Sequence, residues 1–175
     1  MDVHQTNNIC TTLMAAVYSH QLDTVSLLLS RGARVRDVDT HGNTALHLAA
    51  CPRSGDYDIR MVEILLAAGA PIEAINDNGD TPLLAFARAA CLYELCVEAY
   101  GNETDVSPAL IAILHQGANA LAVDRSGKTA RDIIADNLSQ CHPHKGREML
   151  AALDWKMIEQ QTPATPTTYV RRRTL

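Results

Sequence analysis

The chain is 175 residues long, enough for one domain with a continuous core. It is 47% apolar but only 4% aromatic, which points to Ala, Leu, Ile and Val packed on helices rather than to a β-sandwich. The net charge of −5 is uneven: residues 54–124 hold eleven acids against Arg60 and Arg88, while Arg31, Arg34, Arg36 and the triplet Arg171-Arg172-Arg173 are isolated basic points. This excludes a uniformly basic nucleic-acid surface. No apolar run approaches the ~18–20 residues of a membrane span. Met1-Asp2-Val3-His4 has no secretory pattern, and five cysteines without a CxxC read as buried free thiols. Together these predict a soluble cytoplasmic chain.

After a short extension over residues 1–6, the first of four related units is expected at about 7–39. Thr11-Thr12-Leu13-Met14-Ala15-Ala16 opens its first helix, and Leu27-Leu28-Leu29 leads to Gly32-Ala33 at the end of its second. The second unit, about 40–76, begins with the turn Asp39-Thr40-His41-Gly42-Asn43. Thr44 is its N-cap and Leu46, Ala49 and Ala50 share one helical face. Asp56 or Asp58 is expected to cap the following helix, with Ile59, Val62, Leu65 and Leu66 as its buried stripe and Gly69 as a left-handed stop.

The third unit, about 77–124, repeats this with the turn Asn76-Asp77-Asn78-Gly79-Asp80, the cap Thr81, and Pro82 at the first helical position. It is enlarged: Thr44 to Thr81 is 37 positions, but Thr81 to Thr129 is 48. The excess falls at residues 90–104, where Ala90 to Tyr100 has helical periodicity and predicts a prolonged first helix before the loop Gly101-Asn102-Glu103-Thr104. The fourth unit, about 125–158, starts from Asp124-Arg125-Ser126-Gly127-Lys128, caps at Thr129, and is completed by a helix burying Leu150, Leu153 and Trp155. Residues 159–175 have the composition of a flexible tail.

The recurrence of Thr44-Ala45-Leu46-His47-Leu48-Ala49-Ala50 and Thr81-Pro82-Leu83-Leu84-Ala85-Phe86-Ala87, each followed by an aliphatic pair and Gly-Ala, resembles the ankyrin-repeat family over about residues 7–155. The 33-residue step from Thr11 to Thr44 agrees with it. The resemblance implies an all-α ankyrin-repeat solenoid of about four helix-turn-helix units joined by β-turn fingers. The family's His persists only as His47, with Met14, Leu84 and Asp132 elsewhere. The flanking units are therefore expected to rely more on packing than on hydrogen bonds.

Carried over position by position, the resemblance implies partner contacts at Thr40, His41 and Asn43, at Asn78 and Asp80, and at Arg125, Ser126 and Lys128. On the first helices it implies Tyr18, Cys51, Arg88 and Asp136. Tyr93 and Tyr100 add a contact surface peculiar to the insertion. No catalytic, cofactor or metal residue is expected. Cys141-His142-Pro143-His144 lacks a second ligand pair at zinc-site spacing, and Ser126-Gly127-Lys128-Thr129 lacks the upstream glycine of a P-loop, having Ala122 there.

The reading is a monomeric, non-catalytic protein-binding module, acting as competitive inhibitor or adaptor on another protein, without nucleic acid or membrane. One version is a microbial effector acting in the cytoplasm or nucleus of a host cell. The rival, an enzyme or metal-dependent regulatory subunit, would place its chemistry in the 90–104 insertion or the Cys141–His144 loop.

Overall fold

The computed structural model describes residues 11–49, 59–91, 107–138 and 143–162. Among them are eight helices: α1 (Thr12–Tyr18), α2 (Leu22–Ser30), α3 (Ala45–Leu48), α4 (Ile59–Ala67), α5 (Pro82–Cys91), α6 (Ser107–His115), α7 (Ala130–Asp136) and α8 (Pro143–Gln161). No strand forms among the described residues; the fingers carry only the isolated antiparallel bridges Val38 to Thr44 and Val123 to Thr129.

Each first helix starts at a threonine. Thr11 and Thr129 are extended, with ψ of 163° and 167°, and their hydroxyls accept from the amides of Met14 and Asp132. Each of the first three second helices stops at a glycine with φ of 85°, 82° or 96°, at Gly32, Gly69 and Gly117. The amides of Ala33, Ala70 and Ala118 then reach back to Leu28, Leu65 and Ile113, the Schellman pattern that satisfies otherwise orphaned carbonyls.

The helices stack in two rows. α1, α3, α5 and α7 touch in succession, as do α2, α4, α6 and α8, and each pair is also joined internally. Leu13, Leu46 and Leu83, one per unit, are fully buried, and Val25, Val62, Leu65, Ile113 and Leu153 fill the space between the rows. This is the all-α ankyrin solenoid expected.

Two expectations change near the end of the array. Trp155 is 74% exposed and does not complete the core; Met149 and Leu153 do so, because they lie on the face of α8 turned toward α6 and α7. Pro143 and His144 are the first turn of α8 rather than part of a loop. α8 also continues to Gln161, past the expected boundary at 158. Its last turn is fastened where the Gln160 side chain donates to the Ala118 carbonyl and accepts from the Ala120 amide. The Asp56 or Asp58 cap and the continuation of α5 to Tyr100 lie outside the described residues.

Candidate protein-binding face

Three fingers, at Asp39–Asn43, Asn76–Asp80 and Asp124–Lys128, are built by one device. A short side chain at the first position gathers the amides that follow it. Asp39 accepts from the amides of His41 and Asn43, both at 2.8 Å. Asn76 accepts from Asn78 and Asp80 at 3.0 Å, and Asp124 from Ser126 at 2.8 Å and Lys128 at 3.0 Å.

Neighbouring fingers are stitched together. The Asn76 amide side chain donates to the Asn43 side-chain oxygen at 2.8 Å, and the Asp77 backbone amide donates to the His41 carbonyl at 2.9 Å. Gly79, with φ of 84°, lies so close to Arg125 that a Cβ there would sit 2.6 Å from the Arg125 Cγ.

Beneath the fingers runs a buried polar ladder. The His47 Nδ1 accepts from the Thr44 amide at 3.1 Å, which leaves its Nε2 protonated to donate to the Asp80 carbonyl at 3.0 Å, 33 residues away. Burial holds the His47 pKa below its usual value, keeping the ring neutral. Asp80 and Asp124, 4% and 8% exposed, share the Arg88 guanidinium. The Asp124 carboxyl is held well below the usual carboxylate range, first by the Ser126 hydroxyl and the Lys128 amide and also by Arg88.

These contacts sort the expected partner-binding residues. Thr40, His41, Asn78, Arg125 and Ser126 stand exposed at the finger tips. Lys128 and Asp136 are exposed but paired with each other at 2.7 Å. Tyr18 is half-buried at the end of α1. Two of the expected residues are committed within the chain. Asp80 is buried, and its carboxylate is taken by Arg88. Asn43 is committed to Asp39 and Asn76. Arg88 keeps 44% of its side chain exposed while holding both aspartates. Cys51, Tyr93 and Tyr100 lie outside the described residues.

Sequence reasoning missed Val38, Ile75 and Val123, which are 56%, 68% and 52% exposed. Each sits one residue before the side chain that opens a finger, so together they form an aliphatic row across three fingers. The available signal was a branched aliphatic at one repeat position three times over.

A family model of ankyrin repeats, three copies long, matches residues 1–59. An ankyrin repeat protein of Acanthamoeba polyphaga mimivirus is 38% identical over 64 residues, which are 37% of this chain and 8% of that protein. The B-cell lymphoma 3 protein homolog of Mus musculus is 30% identical over 131 residues, 74% of this chain and 25% of that one. The chain thus spans a quarter or less of the length of these relatives. The helix pairs of the fold and these matches are both those of ankyrin repeats. Ankyrin repeats are general protein–protein interaction modules. Among the described residues of this one, no helix is long and apolar enough to cross a membrane, and no three His, Cys, Asp or Glu side chains come together as metal ligands. Cys141 and His142 lie outside the described residues.

Proposed function

We propose that this ankyrin array is a non-catalytic cytoplasmic binding module that grips another protein along its fingers and first helices, as a competitive inhibitor or an adaptor. The observation that carries this reading is the row Val38, Ile75 and Val123. Three aliphatic side chains stand more than half exposed on fingers that hydrogen bonds have already fixed in place. Burying such a row removes apolar surface from water at about 25 cal/mol per Å². Because the fingers are preordered, little of that gain is spent on restricting their motion. Thr40, His41, Asn78 and Arg125, exposed on the same fingers, add hydrogen-bonding and charged groups that would set specificity.

The test is affinity capture and mass spectrometry with the full chain and with a variant carrying Val38→Ser, Ile75→Ser, Asn78→Ala and Arg125→Ala. A partner retained by the parent and lost by the folded variant supports the reading. Equal retention by both rejects it. Asp80 and Asn43 are left intact, since changing either would disturb the fingers themselves.

A further inference from the structure

The second-helix row carries a feature the finger surface does not use. Between α4 and α6 run two adjoining cavities of about 400 Å³ and about 290 Å³. Both are lined by Glu63, Ala112 and His115, so they form one trough along the two helices. Ile59, Pro108 and Ile111 line one half and Leu66 the other. Glu148 of α8 stands at the first half's wall.

The trough is lined by acids. Asp37, Asp80, Asp124, Asp136, Asp154 and Glu159 are each ion-paired within the chain. Glu63 and Glu148 are exposed and have no cation partner among the described residues, and no Lys or Arg lines the trough. Two unpaired carboxylates over an aliphatic floor repel an acidic segment and attract a basic one. The surrounding stretch 54–124, with its eleven acids and two arginines, adds to that field.

We propose that this trough is a second docking site, taking a partner-protein segment that presents aliphatic side chains on one side and Lys or Arg beside them. The aliphatic groups would enter between α4 and α6, and the basic groups would meet Glu63 and Glu148. Apolar residues at helical spacing in a groove between two helices are a general mode of peptide recognition. The segment 92–106, which holds most of the insertion, is disfavoured as the occupant by its own charge: it brings Glu94, Glu98, Glu103 and Asp105 and no basic residue. With a second site on the other helix row, the array would join two proteins rather than only obstruct one.

The experiment uses the full chain and a fluorescein-labelled amphipathic 14-residue peptide of Leu, Lys and Arg, read by fluorescence anisotropy. Its companions are the same composition in scrambled order and a version with Glu in place of every Lys and Arg. The expected result is saturable binding of the first peptide alone. Glu63→Gln with Glu148→Gln should weaken it at least tenfold, Ala112→Trp should abolish it by filling the floor, and Asp23→Asn, at an exposed acid that lines neither cavity, should leave it unchanged. Equal affinity in the Glu63→Gln, Glu148→Gln protein overturns the proposal, as does equal binding of either companion peptide. Binding that emerges only when Arg171, Arg172 and Arg173 are changed to Gln also overturns it, by assigning the trough to the chain's own basic segment. So does a sedimentation mass showing that a second copy fills it.

Discussion

His47 shows how much one side chain can do when both ring nitrogens are spoken for. It closes the start of α3 through Thr44 and ties the second unit to the third through the Asp80 carbonyl. His47→Ala would take from that carbonyl its inter-unit donor, leaving only the Asn76 amide, and from the buried Thr44 amide its His47 acceptor, so urea unfolding should show a loss of about 1–3 kcal/mol. The pH dependence follows from the lowered pKa. Unfolded, the ring titrates near its ordinary 6.5; folded, it resists protonation further into acid. Its contribution is complete above that unfolded value and is lost as pH falls through the folded one. The stability gap between the parent and His47→Gln should therefore narrow as pH drops below about 6.5. A constant gap from pH 7.5 to pH 5 would contradict this.

At the scale of elements, caps and inter-unit bridges replace one another. Asp132 stands where the family has His, and although this unit was expected to rely more on packing than on hydrogen bonds, its helix start is hydrogen-bonded. Its carboxylate accepts from the Thr129 amide and hydroxyl while the Asp132 amide donates back to the Thr129 hydroxyl, a complete capping box. Asp132→Ala should lower stability by about 1 kcal/mol in chemical denaturation.

Arg88 bridges the second and third fingers, and Arg88→Met would leave Asp80 and Asp124 without that shared cation. Breaking a buried pair costs about 3–5 kcal/mol. Solvent at the half-exposed guanidinium reduces this to about 1–3 kcal/mol. Arg88→Lys should recover only part of it, because a single ammonium cannot fork to both carboxylates. In α8, Leu153→Ala should cost about 2–5 kcal/mol, whereas Trp155→Ser should leave the unfolding midpoint nearly unchanged. A large loss at Trp155 would show that its indole is covered in solution.

For the whole molecule, the described helices pack mainly on their own unit's partner and on the neighbouring units, so stability is a sum of units and interfaces. The finger stitching makes the second–third interface a sensitive one. Gly42 has φ of 72°, and a Cβ on it would lie 3.2 Å from the Asn76 Cα and the Asp77 amide nitrogen, both backbone atoms. Gly42→Ala should thus destabilise by more than the ~1 kcal/mol typical of a strained glycine site. Faster hydrogen exchange should appear at the Asp77 amide, which bonds across to His41. An unchanged exchange rate there would place the strain elsewhere.

The repeat architecture, the threonine caps, the glycine stops and the buried Leu13, Leu46 and Leu83 were all legible in the chain. Each follows from a local rule: a hydroxyl before a helix, a residue free to adopt positive φ after it, and apolar spacing of three and four. What sequence alone did not decide was which polar residues are used up internally. Asp80, Asn43 and Arg88 occupy positions that read as surface, yet Asp80 is taken by Arg88 of its own unit, and the contacts of Asn43 with Asn76 and of Arg88 with Asp124 form only when successive fingers stack. The same holds for Trp155, whose helix is plain in the sequence but whose facing depends on how α8 settles against α6 and α7. Local chemistry sets the helices; long-range packing assigns each side chain to the interior, the ladder or the surface, because those contacts join residues tens of positions apart.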